Sequence, residues 1–376
     1  MRIGIDATNL GSGGSLTHIG ELLSAARPEE HGISRVVVWG SRDVLARLPS
    51  RPWLDAVHEP MLDAPLPIRI LWQQTKISAL ARAAACDVLF VPGGTYLGNF
   101  RPFVTMSRNL LPFDPPQLRL YGASLRVLKF LLLRLSHSRT VLHADGTIFL
   151  NEYGRSRVLR RLRAVTGRQT IIPHGVSQRF RSAPRPQKPL SAYSRENPFR
   201  LLYVSTVDVY KHHADVAAAV AQLVSEGLPV HLDIVGPAHH APISHLHSVV
   251  HRLHAEEYVR YRGPIAYSDL PEVYNESDAY VFASTCENLP NCLLEAMGAG
   301  LPIACSDRPP MPQILGEDGG VYFDASDPAG ILRALRHLVT SPEIRQAYAA
   351  AAYARAQQYS WERCARETFS FLRTVA

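Results

Sequence analysis

At 376 residues the chain is longer than one hydrophobic core usually supports, so two domains are expected. An apolar fraction of 46% beside 19% charged residues is typical of a globular protein and excludes a disordered chain or a fibre. The formal net charge of +7 favours phosphate-bearing substrates or an anionic membrane surface as partners. By itself this charge leaves nucleic acid open.

The five cysteines are an odd number without C-x-x-C pairs, which is typical of reduced, mostly buried thiols in a cytosolic protein. The opening MRIGIDATNL does not resemble a signal peptide, because a charged residue stands at position 6 and the apolar run is short. No stretch reaches about 18 uninterrupted apolar residues, the length that predicts a spanning helix. We therefore expect a cytoplasmic protein.

Strand-like apolar runs alternate with helical periodicity along the chain, the pattern of parallel sheets covered by helices. Strands are predicted at 2–6, 35–39, 87–91, 103–106 and 146–150, and in the second half at 200–205, 231–236, 258–263, 278–284 and 302–306. Helices are predicted around 15–26, 68–84, 118–137 and 152–163.

A segment rich in proline, serine and charge, 181–200, separates the two halves and has the composition of a linker. We predict an N-terminal domain over 1–180, a linker over 181–199 and a C-terminal domain over 200–360. The helical segment 361–376 is expected to pack back on the N-terminal domain. The predicted fold class is α/β, with two doubly wound Rossmann-like domains facing each other across a cleft and ligands at the carboxyl ends of their strands.

A glycine loop follows the first predicted strand, with Gly11, Gly13 and Gly14 just before a helix. Such a turn presents backbone N–H groups at a helix N-terminus, where phosphate binds. The G-x-G-G spacing differs from the dinucleotide-binding G-x-G-x-x-G, so a nicotinamide enzyme is disfavoured. A plain tight turn is the alternative interpretation.

Lys211 stands at the corresponding position of the second half, between a predicted strand and a helix that starts near residue 212. A lysine at such a turn can neutralise a phosphate that the helix N-terminus also attracts. The alternative is a solvated surface lysine.

The stretch CENLPNCLLEAMGAGLP, 286–302, places Glu287 on a loop and Glu295 inside a helix predicted over 290–298. A carboxylate at Glu287 can accept hydrogen bonds from sugar hydroxyls, and Glu295 can hold the cis-diol of a ribose. The hypothesis is one acid for a sugar and one for a nucleoside, with a diphosphate at the helix end between them.

The segment ENLPNCLLEAMGAGLPIACSD resembles the Glu–seven residues–Glu signature of the family-4 retaining glycosyltransferases, which have the GT-B fold. Further segments resemble this family in the same order along the chain: NLGSGGSLTHIGELL, HADGTIFLNEYGRSRVLRR, IIPHGV, YVSTVDVYKHH, LDIVGPA, VRYRGPIAYSDLPEVYNESDAYVFAS and SWERCA. Each segment is weak evidence alone, but the ordered set is specific.

The resemblance implies an acceptor-binding N-terminal domain and a C-terminal domain that binds the nucleotide sugar. Glu287 would then face the transferred sugar and Lys211 the diphosphate as the catalytic pair, while Glu295 would bind the donor ribose. The remaining residues implied in substrate binding are Gly13 and Gly14 at the donor phosphates, Asn288, Leu289, Pro290 and Asn291 at sugar and phosphate, and Gly263 and Ile265 at the base.

The chain departs from the family pattern at several positions. Thr206 stands where the family often has an arginine that contacts phosphate. Arg108 and Asn109 replace a His-Asp pair of the first domain, and Gln313 replaces a common glutamate. These changes bear on the phosphate contact, the sugar contacts and the geometry of the acceptor.

The resemblance implies retaining transfer from a GDP- or UDP-linked sugar to a saccharide or lipid-linked acceptor, in bacterial surface polysaccharide synthesis (O-antigen, lipopolysaccharide or capsule). The donor is a substrate, and no cofactor or metal is expected: no D-x-D occurs, and the histidines of 237–251 lack metal-ligand spacing. A sugar-nucleotide epimerase of the same fold and a non-catalytic sugar-nucleotide binding protein are the alternatives.

The segment 118–139 combines an apolar face with five basic residues. It could dock on anionic lipid and place the protein at the inner face of the cell membrane, or it could be a buried helix with basic ends. Both interpretations remain open. Nucleic acid is not expected as a partner, because aromatics are not interleaved with the basic residues.

Overall fold

The computed structural model describes residues 1–11, 13–162 and 165–376, which form two compact units. Unit 1 comprises Met1–Leu118, Gly122–Gly175 and Ser360–Ala376, and unit 2 comprises Arg119–Tyr121 and Val176–Tyr359. Two predictions extend beyond the described residues: Ser12 of the glycine loop and residue 163, the end of a predicted helix.

Each unit is built on a parallel sheet, of seven strands in unit 1 and six in unit 2 among the described residues. The strands are β1 Arg2–Asp6, β2 Arg35–Gly40, β3 Leu54–His58, β4 Val88–Val91, β5 Phe103–Ser107, β6 Gly146–Phe149, β7 Arg168–Ile171, β8 Phe199–Val204, β9 Val230–Val235, β10 Val259–Gly263, β11 Ala279–Phe282, β12 Ile303–Ser306 and β13 Val321–Phe323. The predicted α/β class, with a parallel sheet in each half of the chain, is confirmed.

Most helices lie between these strands in sequence, and the last three follow β13. They are α1 Gly14–Ala25, α2 Arg42–Leu45, α3 Leu66–Thr75, α4 Ile77–Ala83, α5 Pro115–Arg119, α6 Leu125–His143, α7 Glu152–Leu159, α8 His213–Ser225, α9 His240–Arg252, α10 Leu270–Asn275, α11 Asn291–Gly298, α12 Met311–Leu315, α13 Pro328–Thr340, α14 Pro342–Ala356 and α15 Trp361–Val375. Within the described residues, none of these helices combines the length and the apolar composition needed to cross a membrane.

The strand order fixes where ligands can bind in each unit. It is β3-β2-β1-β4-β5-β6-β7 in unit 1 and β10-β9-β8-β11-β12-β13 in unit 2. The chain moves outward from β1 or β8 and then returns to their other side with β4 or β11. The carboxyl end of each first strand is therefore a topological switch point, where open α/β sheets leave a crevice for ligands.

The division between the units lies at Gly175–Val176, earlier than the predicted boundary at 180. The segment predicted as a linker belongs to unit 2 and is held there by specific bonds. The Arg181 guanidinium donates to the Tyr359 carbonyl oxygen over 2.8 Å, and the Ser182 N–H donates to the Gly298 carbonyl oxygen over 3.0 Å. Helix α15 belongs to unit 1, where it buries Trp361, Phe369 and Leu372.

Two predicted helices are wrong in extent. The segment 68–84 forms two helices, α3 and α4, which are separated at Lys76, where φ is −111°. The helix predicted over 118–137 begins at Leu125 and ends at His143. Gly122 has a φ of +58° and Ser124 is extended, so neither continues a helix from the segment before it.

Candidate active site

Lys211 lies in the connection between β8 and α8, at the switch point of the unit 2 sheet. A short turn, Val209–Lys211, is capped by Asp208, whose side chain accepts a hydrogen bond from the Val209 N–H over 2.8 Å. The Tyr203 hydroxyl donates to the Lys211 carbonyl oxygen over 2.6 Å from within the sheet. The lysine is buried, which excludes the alternative of a solvated surface residue.

Glu287 lies in the equivalent connection between β11 and α11. Because β8 and β11 are neighbouring parallel strands, the loops that follow them are adjacent. Thr285 joins the two loops, since its N–H donates to the Tyr210 carbonyl oxygen over 2.9 Å and its hydroxyl donates to the same oxygen over 3.1 Å. Glu287 and Lys211 are thereby held on facing loops.

The Lys211 ammonium donates directly to Oε1 of Glu287. The two side chains are only 8% and 13% exposed, so this ion pair is largely shielded from water. Burial lowers the pKa of Lys211, but the facing Glu287 carboxylate, together with smaller effects of Tyr210, Cys292 and Tyr203, holds the pKa well above its ordinary value. The ammonium lies 5.0 Å from the ring centre of Phe282, a further favourable contact for a cation. The lysine therefore stays charged at neutral pH.

Glu295 lies inside α11 and is buried. Its Oε2 is 3.1 Å from the hydroxyl of Tyr274, which also lies 3.1 Å from the Cys292 carbonyl oxygen. Burial first, and then the Glu295 charge, raise the pKa of Tyr274 well above its ordinary value, so the phenol stays a neutral donor to the carboxylate. Sequence reasoning did not identify Tyr274, because no pattern links α10 to α11.

The start of α11 has no side-chain cap. The predicted helix begins one residue later than expected, at Asn291, with Pro290 in the capping position and without a capping side-chain bond. The first N–H groups of a helix have no intrahelical partner and carry a partial positive charge, which suits an anion. Asn288 and Leu289, just before this end, are buried, and Asn291 is half-buried.

The predicted base-binding residues, Gly263 and Ile265, lie at the carboxyl end of β10 and just beyond it, beside the loops that follow β8 and β9. The Gly236 N–H, after β9, donates to the Gly263 carbonyl oxygen over 2.9 Å, and the Gly236 carbonyl oxygen accepts from the Tyr261 hydroxyl over 2.8 Å. The loop after β8, which contains Thr206, is bonded to the loop after β9, since the Val207 N–H donates to the Pro237 carbonyl oxygen over 2.8 Å. Ile265 follows this group of loops and is half-buried.

Gly13 and Gly14 lie in unit 1, at the switch point after β1. Gly13 has a φ of +55°, a conformation that favours glycine, and precedes the exposed first residue of α1. The Gly14 carbonyl oxygen accepts from the Arg108 guanidinium over 2.5 Å. Arg108, which sequence analysis noted only as a departure from the family pattern, therefore supports the glycine loop.

A buried carboxylate lies at the beginning of the same loop. Asp6, the last residue of β1, accepts from the Thr8 N–H over 2.9 Å and from the Gln73 side-chain amide over 2.6 Å. Burial raises its pKa, although these bonds partly oppose the shift. The network ties the loop to α3, and its only signal in the sequence was an acid at the end of an apolar strand.

The predicted residues thus fall into two sets. Those of unit 2 lie at or after the carboxyl ends of β8, β10 and β11 or in the helix that follows β11. They are Thr206, Lys211, Gly263, Ile265, Glu287, Asn288, Leu289, Pro290, Asn291 and Glu295. This end of the sheet offers a shielded ammonium, two carboxylates and an uncapped helix start. Together these groups can hold a diphosphate and several hydroxyls. Gly13 and Gly14 form the second set, in unit 1.

Residues 198–341, within unit 2, match the family model of glycosyl transferases group 1. The chain is 31% identical over 125 residues to the O-antigen chain mannosyltransferase B of Escherichia coli, which covers 33% of this chain and 32% of that protein. The matches span about a third or less of the length of the first curated relatives.

Solved structures resemble the chain over its full length. The sucrose-phosphate synthase of Thermosynechococcus elongatus aligns with a TM-score of 0.76 at 17% identity and covers 100% of this chain and 98% of that one. The HepE protein of Anabaena, in a complex with UDP-glucose, aligns with a TM-score of 0.70 at 16% identity, covering 100% and 98%. These likenesses establish the fold, which is GT-B.

Proposed function

We propose that the chain is a retaining glycosyltransferase of group 1, because residues 198–341 match that family model and the fold is GT-B. It moves a sugar from a nucleotide diphosphate sugar, GDP- or UDP-linked, to a saccharide or lipid-linked acceptor. The observation that carries the proposal is the shielded Lys211–Glu287 pair beside the uncapped start of α11. An ammonium, a carboxylate and a helix end at one place suit a diphosphate attached to a sugar.

Lys211 serves the diphosphate. An ammonium has three N–H donors, so Lys211 can keep its bond to Glu287 and still donate to a phosphate oxygen. Negative charge grows on the diphosphate as the bond to the sugar breaks. A fixed cation and helix N–H groups that already point at this charge lower the barrier without rearranging.

Glu287 serves the sugar, and Glu295 serves the nucleoside. Glu287 has one oxygen on Lys211, and its other oxygen can accept hydrogen bonds from sugar hydroxyls. Glu295 accepts a hydrogen bond from Tyr274, and we assign the ribose diol to this carboxylate. The base is bounded by the loops at Thr206, Gly236 and Gly263, which are joined by backbone hydrogen bonds.

We place the reaction in bacterial surface polysaccharide synthesis, at the inner face of the cell membrane. The support is the similarity to an O-antigen mannosyltransferase over a third of the chain. The Anabaena structure with UDP-glucose supports a nucleotide-sugar donor. The group that accepts the sugar is a saccharide or its lipid-linked form.

A donor screen followed by product analysis tests the proposal. Thermal shift with UDP, GDP and their sugars identifies the nucleotide, since a ligand that binds only the folded state raises the midpoint. NMR of the product formed with the matching donor and a saccharide acceptor is then expected to show an α-linkage from an α-linked donor. Glu287→Gln should bind the nucleotide but lose most turnover. A β-linked product, or a C2-epimer of the donor without transfer, would contradict the proposal.

A further inference from the structure

Helix α6 begins with an apolar stretch that the fold does not bury. Eight of the twelve residues in 125–136 are leucine, valine or phenylalanine, yet none of the twelve is buried. A helix that packs on a globular core normally turns its apolar face inward. A contiguous apolar surface left exposed on a helix marks a site of interaction.

The exposed residues lie on one side of the helix. Leu125, Leu128, Leu132 and Leu135 are 85%, 53%, 58% and 64% exposed, and their spacing of three and four residues places them in one row. Lys129 and Arg139 are also exposed, and the helical period places them beside this row. We call the four leucines with Lys129 and Arg139 the leucine face.

The other end of α6 is anchored within unit 1. His137, Thr140 and Val141 are buried, and His137 Nε2 shares a hydrogen bond of 3.2 Å with the Ser107 hydroxyl. The Thr140 hydroxyl accepts from the Tyr96 N–H over 2.9 Å. These buried residues lie on the side of the helix opposite the leucine face. Because that side is fixed to unit 1, the leucine face points outward.

The charge of the helix decides among the candidate partners. Between Leu125 and His143 there is no acidic residue, and the basic residues are Arg126, Lys129, Arg134 and Arg139. A second copy of the chain on this face would bring like charges together. Anionic lipid headgroups match the basic residues, and the acyl boundary below them matches the leucines.

We propose that the leucine face is the membrane-docking surface of this protein, with α6 lying in the headgroup region of an anionic bilayer. The proposal deepens the proposed function, because a lipid-linked acceptor is presented at such a surface. It chooses between the two interpretations that the sequence left open for 118–139, since the apolar face is exposed. The docking itself requires no nucleotide and no sugar transfer.

Vesicle sedimentation tests the docking with the full chain and no nucleotide. We expect binding to vesicles of phosphatidylcholine with about a third phosphatidylglycerol, and much weaker binding to phosphatidylcholine alone or at high salt. Leu128→Glu/Leu132→Glu should lower the partition coefficient at least about tenfold, since two leucines no longer enter the bilayer. Lys129→Gln/Arg139→Gln should lower it by about tenfold to thirtyfold on anionic vesicles.

The matched control is Leu253→Glu, at an exposed leucine of unit 2 outside α6, which should bind vesicles like the wild type. Circular dichroism and nucleotide binding check that each variant is folded. Wild-type binding to vesicles by a Leu128→Glu/Leu132→Glu variant that is folded would overturn the proposal. So would a wild-type protein that ignores anionic vesicles, or that forms a dimer abolished by the same substitutions.

A second readout separates this proposal from the proposed function. Transfer to a water-soluble acceptor should be unchanged in Leu128→Glu/Leu132→Glu, whereas transfer to an acceptor in vesicles should fall with the binding. If no transfer occurs at all but vesicle binding follows the leucine face, the proposed function fails and the docking stands. Equal loss with both acceptors would contradict the docking.

Discussion

The pair formed by Lys211 and Glu287 shows how single residues couple stability to ligand binding. Each carries a charge in a largely shielded place, and each is the compensation for the other. Removing one partner of such a pair leaves the other charge buried without compensation, at a cost of about 3–5 kcal/mol in fully buried cases. A bound diphosphate adds negative charge beside the ammonium. Relative to the wild type, it should therefore stabilise a variant that lacks the carboxylate more, and a variant that lacks the ammonium less.

We predict that Glu287→Gln has a lower thermal midpoint than the wild type but gains more from a saturating nucleoside diphosphate, because phosphate replaces the lost carboxylate. Lys211→Met should gain less than the wild type and should show a raised donor KM and slower turnover. Differential scanning fluorimetry with and without nucleotide measures both effects. Glu226→Gln, which removes an exposed ion pair with Arg336 in the same unit, should leave the ligand-induced shift unchanged. Equal shifts in all variants would exclude phosphate from this place.

Glu295 and Tyr274 allow a second test at the residue scale. Glu295→Ala should weaken nucleoside diphosphate binding by roughly 1.5–3 kcal/mol, the value of hydrogen bonds to a charged group. Tyr274→Phe keeps the carboxylate but removes the bond that orients it, and should cost about 0.5–1.5 kcal/mol. Calorimetry measures both.

A deoxyribose nucleotide identifies the partner of Glu295. If the carboxylate holds the ribose diol, the loss from Glu295→Ala and the loss from removing a ribose hydroxyl should be far from additive. Fully additive losses would mean that Glu295 acts elsewhere. Unaltered affinity in Glu295→Ala would reject the assignment altogether.

At the scale of elements, the loops after β8, β9 and β10 depend on the absence of a side chain at Gly236. Its φ is +139°, and a Cβ there would overlap the carbonyl oxygen of Ser205. We predict that Gly236→Ala separates these loops and weakens nucleotide binding at least about tenfold, since the base loses its place between them. Gly227→Ala is the matched control: its φ is also positive, but the space around it is open. It should cost stability and leave the nucleotide affinity unchanged, as measured by titration calorimetry.

The strands that the sequence did not predict, β3, β7 and β13, are all edge strands. The unit 1 sheet ends with β3 on one side and β7 on the other, and β13 is an edge of the unit 2 sheet. An edge strand is covered on fewer sides, so its pattern is less apolar: β3 has no fully buried residue, β7 is exposed at its start, and β13 has three residues. Interior strands are mostly buried, and their apolar runs predicted them within about two residues.

In the candidate site, local sequence patterns could be recognised, whereas contacts between distant residues could not. Glycines, an uncapped helix start and acids beside apolar runs are local patterns, so Gly13, Gly14, Glu287 and Glu295 could be proposed from sequence. The partners of these residues are set by the tertiary fold. The Lys211–Glu287 bond joins positions 76 apart, and the Tyr274–Glu295 bond joins two helices 21 positions apart. No spacing rule predicts either.

At the scale of the whole molecule, buried histidines set the response to acid. Among the described residues four are buried: His18, His137, His174 and His213. Burial lowers the pKa of each, to about 4 for His137 and to about 3 for His213, and burial together with the nearby Arg108 lowers it well below the ordinary value for His18 and His174.

The sign of the pH dependence follows from these shifts. Above pH 6.5 these histidines are neutral in both states, so their full contribution to stability is present. Below 6.5 the unfolded chain takes up protons that the folded chain does not bind, and stability falls until the folded pKa is reached. Between pH 6.5 and its folded-state pKa, each histidine lowers the free energy of unfolding by about 1.4 kcal/mol per pH unit.

We predict that the free energy of unfolding falls by a few kcal/mol between pH 7 and pH 5.5, measured by urea denaturation at each pH. His213→Phe should reduce the steepness, because one of the groups no longer titrates. His251→Phe, at an exposed histidine, is the control and should leave the slope nearly unchanged. A flat profile over this range would show that these rings are hydrated in solution.

Because α15 belongs to unit 1, that unit cannot finish folding until the residues after 360 have been synthesised. Unit 1 is built from both ends of the described chain, and the apolar side of α15 closes on α1 only after residue 360 has been synthesised. Most of unit 2 is one continuous segment that leaves the ribosome earlier. Unit 2 is therefore free to fold first, the reverse of the usual N-terminal order. Until translation passes Leu372, the nascent first half exposes a surface that chaperones can bind.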